Sequence, residues 1–315
     1  MAQLQSSSRT GQGLNARRWR YIVRERWLYF MLIPGMLHFL IFKYVPMAGI
    51  IVAFQNYQPF LGLWHSEWVG VEHFQRFFSD PVFWRLMRNT LTLAILSIVF
   101  YFPVPIILAL MLNEVRHMVF KRVTQTFLYL PHFLSWVVIA GITVTLLNTD
   151  GGVVNGLIVQ LGGTPIQFLL APEWFRPLIL IQLIWKEAGW GTIIFLAAMA
   201  GVDPQLYQSA VVDGAGRFRQ IWHITLPSIR TAIITLFIIR LGSFLDTGFE
   251  QILLMLNPIN RSVGEVFDTY VYQTGIIGGQ FSYTTAVGLF KSAVALLLVV
   301  VTNYLVKKSG EEGVF

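Results

Sequence analysis

Apolar residues fall in long runs along this chain, and six of the runs reach the roughly 20 residues that a membrane-spanning helix requires. They lie at about 28–54, 89–112, 124–147, 177–200, 227–249 and 281–306, with charged or turn-rich breaks between them. The first is long and carries Lys43 and Pro46, so a tilt or kink is expected there. The pattern predicts an all-α membrane protein with six transmembrane helices over 28–306, a basic tail at 1–27 and a short tail at 307–315.

Composition agrees. Hydrophobic residues make up 55% and charged residues 12% of the 315, with a mean hydropathy of +0.60, whereas a soluble domain carries about 25% charged residues. The absence of Cys excludes a disulfide scaffold and thiolate-bound zinc or iron–sulfur clusters. The net charge of +7 would suggest nucleic acid in a soluble protein, but in a membrane protein cytoplasmic Lys and Arg are its usual source. Fourteen basic residues, Arg230 just inside span five and the rest outside the spans, fall on one side, from Arg9, Arg17, Arg18, Arg20, Arg24 and Arg26 through Arg116, Lys121, Arg122, Arg217, Arg219 and Arg230 to Lys307 and Lys308. Only Arg76, Arg85, Arg88, Arg176 and Arg261 fall on the other. The positive-inside rule therefore puts both termini in the cytoplasm, as an even number of spans requires. The first 16 residues lack the apolar core of a signal peptide and read as a disordered tail, so span one is a retained anchor. Trp64, Trp68, Trp84 and Trp174 near the interfaces fit an aromatic belt.

The loop after span four, DPQLYQSAVVDGAGRFRQIWHITLP at 203–227, is too apolar for a plain solvated connector. Asp203 is placed to N-cap a helix beginning at Pro204, Gly214 and Gly216 to end it, and Pro227 to start another. Leu206, Tyr207, Ala210 and Val211 fall on one face by helical spacing, and Phe218, Ile221 and Trp222 extend the apolar surface past the turn. Such a surface needs a cover: the bilayer or the protein's own spans, or a soluble subunit docked on it.

This loop resembles the EAA motif of ABC-importer permeases, Glu-Ala-Ala, three residues, Gly, nine residues, Ile, one residue, Leu-Pro. Gln208, Ser209 and Ala210 take the Glu-Ala-Ala positions, Asp213, Gly214 and Ala215 match the Asp-Gly-Ala common in sugar permeases, and Ile224, Leu226 and Pro227 stand at the required distance. The segments FKYVPMAGIIVAFQNYQPFLG, LALMLNEVRHMVFKRVTQTFLYLPHFLSWVV, IWKEAGWGTIIFLAAMAGVDPQLY and TYVYQTGIIGGQFSYTTAVGLFKS resemble carbohydrate-importer permeases, notably the branch handling polygalacturonan, aldouronate and alginate fragments. The resemblance covers nearly everything after residue 27. It implies a prokaryotic inner-membrane subunit forming half of a pathway for an oligosaccharide. Its implied partners are a second homologous permease, two ATPase subunits carrying ATP and Mg, and an extracytoplasmic substrate-binding protein; segments 55–88, 148–176 and 250–280 are candidates to receive it, and their Gly, Pro and aromatic content equally suits ordinary ordered loops. It also makes 203–227 a coupling loop that docks in a cleft of the ATPase, through Leu206, Tyr207, Gln208, Ser209, Ala210, Asp213, Gly214, Ala215, Phe218 and Ile221. Gln208 stands where the family's Glu forms an ion pair, so either a neutral hydrogen bond replaces the charged one or the second permease carries the more regular motif.

Charges inside the spans are costly, roughly 2.5–3.5 kcal/mol each at a helix centre, and mark cavities or partners. Lys43, Lys186, Arg240 and Lys291 face only Glu187 and Asp246, an excess of two cations to be met by backbone carbonyls, water, an acidic partner helix or an anionic ligand. Lys186, Glu187, Arg240 and Lys291 are therefore the candidate substrate-pathway residues, and an acidic oligosaccharide suits them. Trp185, Trp190, Tyr283 and Phe290 serve either as sugar-stacking rings or as packing. Lys186 and Glu187, adjacent on a helix and about 100° apart, are expected to serve different neighbours, while Gly189, Gly191 and Gly201 offer close helix contacts. No Walker loop, His-Glu-x-x-His or Gly-x-Ser-x-Gly occurs, and the six His lack ligand spacing, so neither a catalytic nor a metal site is expected. The alternative class is an ion- or proton-coupled secondary transporter working alone, with Glu187 and Asp246 as proton sites.

Overall fold

The computed structural model describes residues 24–308, so most of the predicted N-terminal tail and the segment after Lys308 lie outside the described residues. Four continuous helices are long and apolar enough to cross a membrane: α1 (Arg26–Phe54), α3 (Pro81–Glu114), α7 (Pro172–Ala200) and α13 (Phe281–Lys308). The remaining two predicted spans are bent pairs. Helices α4 (Met118–Phe133) and α5 (Trp136–Leu147) meet at 101°, and α9 (Arg217–Ser228) and α10 (Arg230–Gly242) at 60°. Between them run α2 (Glu72–Ser79), α6 (Val153–Gln160), α8 (Pro204–Val212), α11 (Phe249–Met255) and α12 (Phe267–Val271). A two-residue antiparallel ladder, β1 (Gln55–Asn56) with β2 (Glu67–Trp68), pairs Gln55 with Trp68 and Asn56 with Glu67.

Proline sets the local geometry of the long helices. A proline has no N–H for the carbonyl one turn back, and its ring crowds that carbonyl. Three π turns, Leu40–Tyr44, Ser97–Tyr101 and Ile221–Thr225, each end two residues before a proline: Pro46, Pro103 and Pro227. A wider turn there accommodates the missing donor while the helix continues. The expected kink at Pro46 is thus a change of helical winding within one continuous helix.

Three boundaries depart from the apolar runs. Helix α3 starts at Pro81 rather than near 89, because Asp80 accepts from the Val82 N–H at 2.9 Å and the first turns carry Phe83 and Leu86 into a core. The segment predicted at 124–147 breaks because Leu134 is extended and Ser135 N-caps a new helix. The segment predicted at 227–249 is helical only to Gly242; Ser243 leaves helical geometry, and Gly248 takes a left-handed φ of 86° before α11 begins.

Three clusters of buried side chains hold the bundle. Phe77, Phe83, Leu86, Phe267, Tyr283 and Val287 join α2, α3, α12 and α13, and Leu93, Phe175, Ile179, Ile252, Met255 and Val266 join α3, α7 and α11. Ala109, Phe195, Met199 and Ile229 join the far ends of α3 and α7 to the start of α10. By contrast α1 has no buried residue from Arg26 to Met47 and packs only through its last turns, at Val52 and Ala53.

Helix α7 runs through the middle, and two of its glycines allow the closest approaches. A Cβ on Gly189 would stand 1.9 Å from the Leu128 carbonyl oxygen, and one on Gly191 3.0 Å from the Pro105 ring. Gly201 meets only ordinary contact. Gly189→Ala is therefore expected to cost about 1–3 kcal/mol, read as a lower melting midpoint by size-exclusion of heated, detergent-solubilised protein. Gly156→Ala, with open space around it, should leave that midpoint unchanged.

Candidate functional site

The break between α4 and α5 is closed from α7. Lys186 is buried, and its Nζ donates to the carbonyls of His132 at 2.7 Å and Leu134 at 2.6 Å, the groups that leave helical pairing at the bend. Its ammonium also lies 5.4 Å from the centre of the Trp136 ring. Glu187 takes the neighbouring partner: its Oε2 lies 2.9 Å from His132 Nδ1, and that imidazole stacks on Trp190 with the planes 5° apart. The adjacent pair was expected to serve different neighbours, but both contact His132, Lys186 at its carbonyl and Glu187 at its imidazole, and they come within 3.8 Å of each other.

Lys291 is likewise engaged. Its Nζ contacts both Asp268 oxygens, at 2.6 and 2.7 Å. Asp268 sits on α12, inside a segment expected as an outer loop, which is why the sequence tally of intramembrane acids missed it. Lys43 stands exposed on α1, with no carboxylate within 4 Å among the described residues.

Arg240 differs from both lysines. A guanidinium N–H of Arg240 donates to Ser97 Oγ in the π turn of α3, and its carbon lies 5.3 Å from the centre of the Tyr101 ring. These neutral groups are its partners, and no carboxylate lies within 4 Å among the described residues. It lines a cavity of about 300 Å³ between α3, α5, α7, α10 and α11, together with Tyr101, Trp136, Glu187, Asp246 and Gln251. The non-helical stretch after α10 forms part of its wall, and Ser243 and Asp246 also border a second cavity that reaches Lys291 and Asp268. Irregular backbone at this depth is tolerated where it lines such a space.

Of the rings named as stacking candidates, Tyr283 is buried and Phe290 packs against the same aromatic core, and neither lines the two cavities described above. Trp185 and Trp190 are exposed, Trp190 with one face on His132. Tyr101 and Trp136, which line the first cavity, were not singled out by the sequence; they lie at helix positions that read as ordinary apolar filling.

A second polar assembly ties the other ends of α3 and α7 to the chain before α12. Buried Glu265 pairs with Arg85 at 2.8 Å and lies 3.6 Å from Arg261, while Asn89 donates to the carbonyls of Ser262 and Glu265 and accepts from Arg176 at 3.1 Å. Three of the five basic residues assigned to that side are thus structural anchors.

The loop between α7 and α10 folds as expected from its capping residues. Asp203 Oδ1 accepts from the Gln205 N–H at 2.9 Å, Pro204 opens α8, Gly214 is left-handed at φ 74°, and Gly216 precedes α9. Its apolar face divides. The Tyr207 hydroxyl shares a 3.0 Å hydrogen bond with Thr225, and Ala210, Ala215 and Ile221 are half-buried against the protein. Leu206, Val211, Val212, Phe218 and Trp222 are exposed, with Phe218 at 89% and Val212 at 87%, and Gln208, Ser209, Asp213 and Gly214 are exposed beside them. Val212 and Trp222 thus extend the surface beyond the residues the motif marks. Arg217 Nε lies 3.8 Å from Glu114 at the end of α3.

A family model described as binding-protein-dependent transport system inner membrane component matches residues 101–310. The chain is 58% identical over 292 residues to Protein LplB of Bacillus subtilis (strain 168), covering 93% of this chain and 92% of that one. It is 56% identical over 294 residues to the polygalacturonan/rhamnogalacturonan transport system permease protein YteP of the same organism, with coverage of 93% and 92%. Among solved structures it is similar to a chain of a bacterial alginate ABC transporter in complex with an alginate pentasaccharide-bound periplasmic protein. That match has a TM-score of 0.88 and 43% identity over 95% of this chain and 100% of the other.

The Lys291–Asp268 pair is partly shielded, with side chains 18% and 25% exposed. Lys291→Met leaves Asp268 uncompensated and is expected to cost about 1–3 kcal/mol, between exposed and buried pairs. Adding Asp268→Asn should recover most of the lost melting midpoint, and a double variant no more stable than Lys291→Met would show that the pairing does not hold α12 to α13.

Proposed function

The chain belongs to the family of binding-protein-dependent transport system inner membrane components, as a permease of a sugar or oligosaccharide ABC importer, and we propose that it forms half of the membrane pathway for an acidic oligosaccharide. In this reading each bent pair counts as one crossing, giving six spans with both termini in the cytoplasm. A second homologous permease completes the pathway. Two separate ATPase subunits carry ATP and Mg, and this chain hydrolyses nothing. An extracytoplasmic binding protein delivers the saccharide, as the periplasmic protein of the alginate transporter suggests. Family membership sets aside the solitary secondary transporter.

The observation that carries the proposal is the exposed apolar row Leu206, Val211, Val212, Phe218 and Trp222 on the loop bearing the EAA-like motif. Large apolar side chains exposed on one loop call for a covering partner, and the EAA-like motif supports the ATPase as that partner. Gln208 and Ser209 lie on the same exposed side, placed to donate and accept neutral hydrogen bonds. Tyr207, through Thr225, ties the loop to α9, so its role is to transmit movement rather than to touch the ATPase. Closure of the ATPase dimer on ATP then shifts the loop and the attached helices between inward-open and outward-open states. ATP drives that shift through the different affinity of the assembly for the two states. The acidic nature of the cargo is supported by the similarity to YteP, a polygalacturonan/rhamnogalacturonan transport system permease protein, and to a bacterial ABC transporter involved in the import of the acidic polysaccharide alginate.

Val212→Asp with Phe218→Asp should insert in the membrane at the wild-type level, fail to co-purify with an ATPase subunit in mild detergent, and lose at least about 90% of uptake. Normal ATP-dependent uptake by this variant would refute the docking role. Since the chain has no Cys, single cysteines read its topology cleanly. Asp150→Cys should react with an impermeant maleimide in intact cells, and Ser209→Cys only after permeabilisation.

A further inference from the structure

Resting on the acidic-oligosaccharide reading above, we infer that Arg240 is the specificity-determining residue of this subunit, binding a carboxylate of the cargo in the cavity between α3, α7 and α10. The mid-depth cations divide by what already satisfies them. Lys186 spends its donors on two backbone carbonyls, and Lys291 is held by both oxygens of Asp268. Arg240 has one hydroxyl and one aromatic face for partners, and a guanidinium carries five N–H donors in a planar fork. A cation so placed in a membrane protein calls for an anion, and the fork matches a carboxylate in two-point contact.

The rest of the lining fits a saccharide. Glu187 is occupied by His132 and Lys186, leaving Asp246, without an ion-pair partner among the described residues, to accept from sugar hydroxyls. Thr247 Oγ1, in the same lining, is buried without a hydrogen-bond partner. Tyr101 and Trp136 supply ring faces. At about 300 Å³ the cavity stands at the lower bound of small-molecule sites, suited to one end of a chain rather than to its whole length.

The test uses the assembled importer, with its partner permease, ATPases and binding protein, and trigalacturonate as probe. In Arg240→Gln, uptake should fall about tenfold or more, the loss of a charge-assisted contact. ATPase activity stimulated by the loaded binding protein should stay within about twofold of wild type, because docking and coupling do not use this residue. Arg240→Lys, which keeps the charge and loses the fork, should recover part of the uptake. Unchanged uptake in Arg240→Gln overturns the assignment. So does a joint loss of uptake and stimulated ATPase in both variants, or failure of both to co-purify with the second permease, which identify Arg240 as a structural partner of that subunit. Wild-type uptake of a neutral trisaccharide in place of trigalacturonate overturns the acidic reading itself, and is seen before any variant is made.

Discussion

A break in a helix frees carbonyls from their helical partners, and the ammonium of Lys186 takes up two of those freed at the bend between α4 and α5. Each unsatisfied group would cost several kcal/mol in hydrocarbon, while a buried ammonium without partners would cost more. Joining them cancels both penalties: Lys186 fills the carbonyls of His132 and Leu134, and Glu187, His132 and Trp190 complete the plug around the 101° bend. The bend carries α5 away from the line of α4, and Trp136, the first residue of α5, becomes part of the cavity wall. Gly189, three residues on from Lys186, lets α7 approach Leu128 closely enough for this contact to form.

The same economy of donors governs the prolines. At Pro46, Pro103 and Pro227 the missing N–H is absorbed by a π turn just upstream, so the long helices change winding without stopping. The turn before Pro103 is also where Ser97 and Tyr101 receive Arg240, and the turn before Pro227 is where Thr225 receives Tyr207. Local irregularities forced by proline therefore coincide with the contacts that connect α3 to α10 and α8 to α9. Helix α10 runs unbroken from Arg230 to Gly242, and α9, which carries the Tyr207 contact at Thr225, meets it at a 60° bend.

Charge inside the bundle is spent unequally. Glu265, Arg85, Arg176 and Asn89 brace one end, Asp268 holds Lys291, and Lys186 holds a bend. Arg240 and Asp246 remain directed at cavities. The residue types alone do not separate these roles, since a lysine that staples carbonyls and an arginine that faces a cavity read alike along the chain.

What the sequence determined follows from short-range chemistry. Apolar runs of spanning length, capping residues such as Asp203 and Pro204, and the Gly214 turn depend on neighbours within a few positions, and the motif spacing of 208–227 carries part of the resemblance to ABC-importer permeases. The breaks at Leu134 and Ser243 were not legible, because apolar content persists through them and the groups that compensate them lie far away in sequence. Asp268 was invisible as a partner of Lys291 for the same reason, and the division of the loop into an inward Tyr207 and an outward Phe218 depends on where α9 turns. Hydrophobicity fixes which segments leave water, a property of each segment alone. Which buried charge meets which polar group is decided only when the helices pack, since that energy depends on distances of a few ångströms between residues tens of positions apart.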